Sequence, residues 1–208
     1  MDFTYDIFLS YARVDNLTPS PDKKGWVEIF KDYLEIYLAK HIGREEKIKI
    51  WWDTRNLRGN QPIDTTIKKA LNTSALFVAL NSKGYIHAES YCCQEIEYFH
   101  KTAGKSPIGL EPGNHSRLFI INIQDIKHTE WLKPMQGILG FPIHYDEKDE
   151  LPGEPLEPGS RKFNIQLKII GDAILKTLNY IEEITGTPID EPKNPPIRKT
   201  VSKFCVLQ

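Results

Sequence analysis

Ala75-Leu76-Phe77-Val78-Ala79-Leu80 runs for six residues without a polar side chain, and the pattern of the chain changes on either side of it. A short, continuous apolar run is the pattern of a strand covered on both faces, as in a parallel sheet. Before it, Ile63, Ile67, Ala70 and Leu71 make a helical stripe. Pro62 suits the first turn of that helix, where a backbone N–H would be unpaired anyway. After it, a helix is expected over residues 88–103, with Cys92, Ile96, Phe99 and Ala103 on one buried stripe. Farther out toward the N-terminus, residues 5–10 and 47–52 read as strands. Between them lies a helix over 24–40, with Trp26, Phe30, Tyr33 and Tyr37 on one stripe and Val27, Leu34 and Leu38 beside it. Toward the C-terminus come strands over 117–123 and 142–145, a brief helix over 131–138 and a long final helix over 163–184. Five strands alternating with helices predict an α/β, flavodoxin-like three-layer sandwich. Its five-stranded parallel sheet takes the order 2-1-3-4-5, with helices on both faces. Ligands of such sheets sit at the carboxyl ends of the strands.

Composition narrows the function classes. The 208 residues carry 27 Lys and Arg against 28 Asp and Glu, a formal net charge of −1, which argues against a nucleic-acid binder. Three cysteines, two of them adjacent at 92 and 93, spell no disulfide framework and fit a reducing compartment. The N-terminal Met-Asp-Phe-Thr-Tyr-Asp lacks the basic start of a secretion signal, and no apolar run reaches the length of a membrane span. A cytoplasmic location without membrane attachment is therefore expected.

The periodic pattern ends near Gly186, so residues 1–186 read as one domain and 187–208, with Pro188, Pro192, Pro195 and Pro196, as a Pro-rich tail or linker. The tail ends in Cys205-Val206-Leu207-Gln208, which fits a CaaX box behind Arg198, Lys199 and Lys203, a match that means prenylation only in a eukaryotic cytosol and is coincidence in a bacterial one. Residues 104–116 should form a loop. So should 146–160, six acids against one Lys, expected to be solvated. Outside that loop the domain is slightly basic, which is compatible with an anionic ligand.

Candidate functional groups cluster where the fold would place them. The first strand ends in Ser10-Tyr11-Ala12-Arg13, which offers a hydroxyl, an aromatic face with a polar tip and a phosphate-matched guanidinium. The same residues would serve as a turn cap and a solvated Arg. The second strand ends at Asp53 and leads into a polar, Gly-containing loop with Leu57, Arg58 and Gly59. Asp53 could accept phosphate in a receiver domain, but the first strand ends in Ser10-Tyr11 where such a domain has paired acids for Mg²⁺. On the helix over 88–103, Glu97 lies about 130° from the buried stripe, four residues before Lys101, and reads as a surface residue. Glu95 lies about 70° from it, on the margin of the buried face, with no Lys or Arg three or four residues away. A carboxylate so placed has a function or a raised pKa, unless it is an exposed Glu that happens to fall there. The six His lack HExxH spacing and no CxxC is present, so no metal site is expected. No GxGxxG or GxxxxGK[ST] is present either.

Three stretches carry a resemblance. Tyr5-Asp6-Ile7-Phe8-Leu9-Ser10-Tyr11 looks like the first box of the TIR (Toll/interleukin-1 receptor) domain family. Trp52-Asp53 through Leu57-Arg58-Gly59 to Ser74 resembles that family's second strand, BB loop and following helix. Asn81-Ser82-Lys83-Gly84-Tyr85 and Ser90-Tyr91-Cys92-Cys93-Gln94-Glu95 are similar to its pattern of Ser, Tyr and Ser-x-Trp-Cys-x-x-Glu, with Tyr91 in place of Trp. In detail the resemblance is to bacterial, NAD-consuming members rather than to animal receptors.

The resemblance implies an NAD⁺ hydrolase or cyclase that releases nicotinamide and gives ADP-ribose or a cyclic ADP-ribose, in immune (anti-phage) defence or signalling. Glu95 would be catalytic. Ser10, Tyr11, Ala12, Arg13, Asp53, Leu57, Arg58, Gly59 and Tyr91 would bind NAD⁺, which would be substrate, with no cofactor. A neighbouring TIR domain typically completes the pocket, so self-association or other TIR domains are the expected partners. The family also holds non-enzymatic adaptors that act through TIR–TIR contacts. The BB loop here reads Leu57-Arg58-Gly59-Asn60 in place of Leu-Pro-Gly, and the 104–116 segment is longer than typical.

Overall fold

The computed structural model describes residues 3–20, 22–42, 48–53, 64–88 and 90–186. Strand β1 is Tyr5–Tyr11, helix α1 Trp26–Ile42, β2 Ile50–Trp52, α2 Thr65–Asn72, β3 Ser74–Asn81, α3 Tyr91–Ala103, β4 Leu118–Asn122, β5 Phe141–Pro142 and α4 Arg161–Thr185. All strand pairs are parallel and the order is β2-β1-β3-β4-β5, as the alternation of strand and helix predicts. The expected contacts Leu57, Arg58 and Gly59, the helix-starting Pro62 and the 187–208 tail lie outside the described residues.

β3 is buried at all eight positions, because the two-residue period sends its side chains into two separate cores. Leu76, Val78 and Leu80 join Ile7 and Leu9 of β1 under α1 and α4. Phe77 and Ala79 join Phe8 of β1 under α2 and α3. On that second face Phe8 stacks between Trp51 and Phe77, with ring centroids 4.4 and 5.4 Å away. Ser10, two residues after Phe8, therefore points to the α3 side of the sheet.

Several elements differ from the sequence pattern for identifiable reasons. α1 buries Val27, Phe30, Leu34 and Leu38, and the rest of its aromatic stripe, Trp26, Tyr33 and Tyr37, lies to one side, at the seam with α4. There Tyr33 meets Phe163 edge-on, and a Cβ at Gly171 would fall 2.3 Å from the Tyr37 ring, so only glycine allows this approach. α3 begins at Tyr91, three residues later than expected, because the Ser90 hydroxyl accepts from the Cys92 N–H and caps it. The expected helix over 131–138 is replaced by one short 3-10 turn, Lys133–Met135, with another, His128–Glu130, just before it. Pro134 removes a backbone donor and Gly137 sits at φ +90°.

β5 is shorter than the 142–145 expected, because the acidic loop claims the backbone beyond it. Tyr145 N–H donates to Glu154, Leu156 N–H donates to Ile143, and His144 bridges to Pro155. The loop over 146–160 is thus not simply solvated. Most of its acids are exposed, but Leu156 is buried in the α1–α4 core and its carbonyl accepts from the Trp26 indole.

At the amino end of the sheet Arg117 is 3% exposed and has no carboxylate partner among the described residues. Its guanidinium donates to the carbonyls of Ser74, Ala75 and Gly109 and to Ser106 Oγ, and stacks on Phe3 and Phe99. These contacts fasten the 104–116 segment to the start of β3.

Candidate functional site

The carboxyl ends of β1 and β2 and the first turns of α3 enclose a cavity of about 50 Å³. Ser10, Tyr11 and Arg13 line it from the end of β1, Asp53 from the end of β2, and Tyr91 and Glu95 from α3. Leu9, Trp51 and Cys92 complete the wall. Six expected residues therefore meet in one place. Ala12 does not join them, since it is buried and packs toward Gly84.

Glu95 is 7% exposed, so the half-buried margin expected from the helix wheel is corrected to full burial. A wheel measures the angle to the helix's own stripe, and here the end of β1 and the turn holding Tyr85 cover that margin from outside the helix. Ser10 Oγ donates to Glu95 Oε2 at 2.6 Å. The other oxygen, Oε1, accepts no hydrogen bond among the described residues, and no ion pair forms there. Burial pushes the carboxyl up from 4.5 to about 7. The Ser10 donation opposes that rise and the Asp53 charge adds to it. A buried carboxyl that changes charge near neutrality, with one oxygen anchored and the other unbonded, is a chemically competent group.

The walls are fixed by their own bonds. Tyr11 Oη donates to the Asp53 carbonyl at 2.8 Å and ties the ends of β1 and β2 together. Burial pushes its phenol up to about 12, so it acts as a hydrogen-bond donor rather than a base. Arg13 is exposed at the mouth, in the 3-10 turn Arg13–Asn16. That turn is held from behind, where Ser82 Oγ donates to Asp15 Oδ2 at 2.6 Å. Burial pushes Asp15 from 3.8 to about 6, against the Ser82 donation.

A second cavity, of about 260 Å³, shares Tyr11 and Arg13 with the first and is otherwise lined by Asn16, Leu17, Glu28 and Trp52. None of these four is a contact expected from the sequence, where Trp52 appears only as a motif position. Its place as an aromatic at the end of an edge strand, next to Asp53, is the signal that could have marked it as a contact. Tyr85 is identified in sequence only as a motif position. Its phenol is buried behind Ser10, with Oη 3.1 Å from Ser10 Oγ. Among the described residues no group of three or more His, Cys, Asp or Glu could hold a metal, and no helix is long and apolar enough to cross a membrane.

Comparison with known proteins shows the family of the chain. No curated protein matches the chain in sequence. The TIR domains in the structure of the activated Roq1 resistosome directly recognizing the pathogen effector XopQ are 15% identical, with 85% of this chain and 84% of that chain covered and a TM-score of 0.37. The model of the TIR domain matches residues 7–147, a stretch that runs from β1 past β5 and includes every residue of the first cavity. With more than half of its length matched, the chain belongs to the TIR domain family.

Proposed function

We propose that this TIR domain is an NAD⁺ hydrolase or cyclase that breaks the bond between nicotinamide and ribose, with Glu95 as its catalytic residue. The observation that carries the reading is the buried Glu95 carboxylate on the cavity wall, with Oε2 held by Ser10 and Oε1 unbonded among the described residues. As the glycosidic bond breaks, its electron pair leaves with nicotinamide and positive charge develops on the ribose. A fixed carboxylate in a site of low dielectric stabilises that charge far better than one in water. Water then attacks the anomeric carbon, giving ADP-ribose and a proton. Attack by a nucleophilic group of the same molecule gives a cyclic product and likewise releases a proton.

The proton on Glu95 fits this sequence of events. The nicotinamide end of NAD⁺ is cationic, and a cation beside a carboxyl favours its charged form. Binding therefore ionises Glu95 at the moment the carboxylate is needed. Arg13 lines both cavities and would meet the pyrophosphate, and the larger cavity with Trp52 and Tyr11 would take the second nucleoside. Leu57, Arg58 and Gly59 are proposed as further contacts on the strength of the family resemblance. The first cavity alone is far smaller than the usual ligand site, which fits a pocket completed by a second TIR domain. A role in immune defence or signalling in the cytoplasm follows from the same reading.

The test is release of nicotinamide from NAD⁺, followed at protein concentrations that allow self-association, with mass identification of the second product. Glu95→Ala should lower the rate at least ~100-fold. Full activity in Glu95→Ala, or none in the wild type across association conditions, would refute it.

A further inference from the structure

We infer that Tyr85 is a positioning residue for Glu95, acting through Ser10 as the far end of a buried hydroxyl chain. The inference rests on the reading of Glu95 given above. Tyr85 is 0% exposed and Ser10 1% exposed, and their oxygens lie 3.1 Å apart. The Ser10 hydroxyl has one proton, and it is directed at Glu95 Oε2. Tyr85 must then be the donor in the Tyr85–Ser10 bond. The chain has one direction, Tyr85 O–H to Ser10 Oγ, and Ser10 O–H to Glu95 Oε2.

Reversal shows what Tyr85 contributes. If Glu95 is protonated and donates to Ser10, either Ser10 donates to Tyr85 and the Tyr85 proton loses its acceptor, or Ser10 goes on accepting from Tyr85 and its own proton is left with only the Cys92 thiol. Tyr85 Oη has no other hydrogen-bond partner among the described residues, and the nearby Cys92 thiol is a weak acceptor. A buried hydroxyl proton without a good acceptor is costly either way. The chain therefore favours the ionised carboxylate and fixes which of its oxygens is occupied, leaving Oε1 toward the cavity. Tyr85 itself cannot swing away. Its backbone N–H donates to Ser82 Oγ, which donates to Asp15, so the same turn is anchored to the 3-10 segment carrying Arg13.

The groups facing Glu95 are Ser10 and Tyr11 from β1, Asp53 from the end of β2, Tyr85 from the turn after β3 and Cys92 from its own helix, with Arg13 and Tyr91 on the cavity wall. Of these, Ser10 is the group that donates to the carboxylate, and Tyr85 orients Ser10. Tyr85→Phe removes one oxygen and leaves the ring packing in place.

The experiment compares wild type, Tyr85→Phe and Ser10→Ala in two ways: the pH profile of nicotinamide release, and the titration midpoint of the ¹³C-labelled Glu95 carboxyl by NMR. In Tyr85→Phe the acidic limb of the rate and the NMR midpoint should both move up by about one pH unit. At pH 7 and subsaturating NAD⁺, where the free enzyme's carboxyl governs the rate, that is a loss of about fivefold, recovering to near the wild-type value by about pH 9. Ser10→Ala should shift the midpoint at least as far, and the double variant no farther than Ser10→Ala alone. A uniform loss of rate at every pH in Tyr85→Phe would mark a merely structural role and overturn the inference. So would a Glu95 midpoint unmoved by either variant. The NMR titration needs no turnover, so an inactive wild type would refute the hydrolase reading while the midpoints still decide the role of Tyr85.

Discussion

Replacing Glu95 by Gln should make the domain more stable at neutral and alkaline pH while removing the proposed catalytic group. In the folded chain the Glu95 carboxyl titrates near 7, against 4.5 for an ordinary Glu, chiefly because it is buried. The folded state therefore holds this proton over a pH range in which the unfolded chain has lost it. Below pH 4.5 the carboxyl is neutral in both states and costs nothing. Between 4.5 and about 7 stability falls as pH rises, because the native state binds more protons than the unfolded one. Above about 7 the full penalty applies. At roughly 1.4 kcal/mol per pH unit, the interval amounts to about 3 kcal/mol.

The Glu95→Gln side chain is neutral throughout, keeps the shape and can still accept from Ser10, so the site then contributes no such slope. Urea unfolding of both proteins from about pH 4 to about pH 9 measures the difference directly. The gap in favour of the Glu95→Gln variant should grow by about 2–3 kcal/mol between about pH 4.5 and about pH 8. Any cost of the extra amide donor is independent of pH and only offsets the curve. A stability difference that stays flat across this range, or narrows as pH rises, would refute the claim that Glu95 is a buried, destabilising carboxylate. Confirmation would mean that the protein tolerates an unfavourable group at the place where charge is needed, as catalytic sites often do.

Ser82→Ala should destabilise the domain more at pH 8 than at pH 4, by about 1–2 kcal/mol, because it strips the donor from buried Asp15, which titrates near 6 and is charged only at the higher pH. Melting temperatures at the two pH values check this, and an equal loss at both would contradict it. Arg117→Met should cost about 3 kcal/mol at neutral pH, where Arg117 is charged even with its pKa lowered to about 10 by burial. It leaves three carbonyls and Ser106 Oγ without their donor. Amide exchange should quicken first in residues 104–116, and unchanged exchange there would show that Arg117 does not fasten the segment.

Much of the architecture was legible because it is periodic. The apolar run 75–80 is a strand buried on both faces. The stripe Cys92, Ile96, Phe99 and Ala103 faces the core, as three- and four-residue spacing requires. Breaks in pattern were harder to read. The acidic composition of 146–160 announced a surface loop, but a single Leu156 seated in the core turns that loop back on the sheet and shortens β5. Average charge says nothing about where one side chain anchors.

The sequence alone determined the alternation of strands and helices, the parallel sheet and its order, and the address of Glu95 beside the buried stripe of α3. These follow from local angles, a period of two for strands and about 3.6 for helices, together with the right-handed crossover that joins parallel strands. Only the tertiary structure decided that Glu95 is buried rather than marginal, that Ser10 holds one of its oxygens across 85 positions of sequence, and that Tyr85 stands behind Ser10. Burial and hydrogen-bond direction depend on what other elements bring to the same point. No periodicity within one helix carries that information.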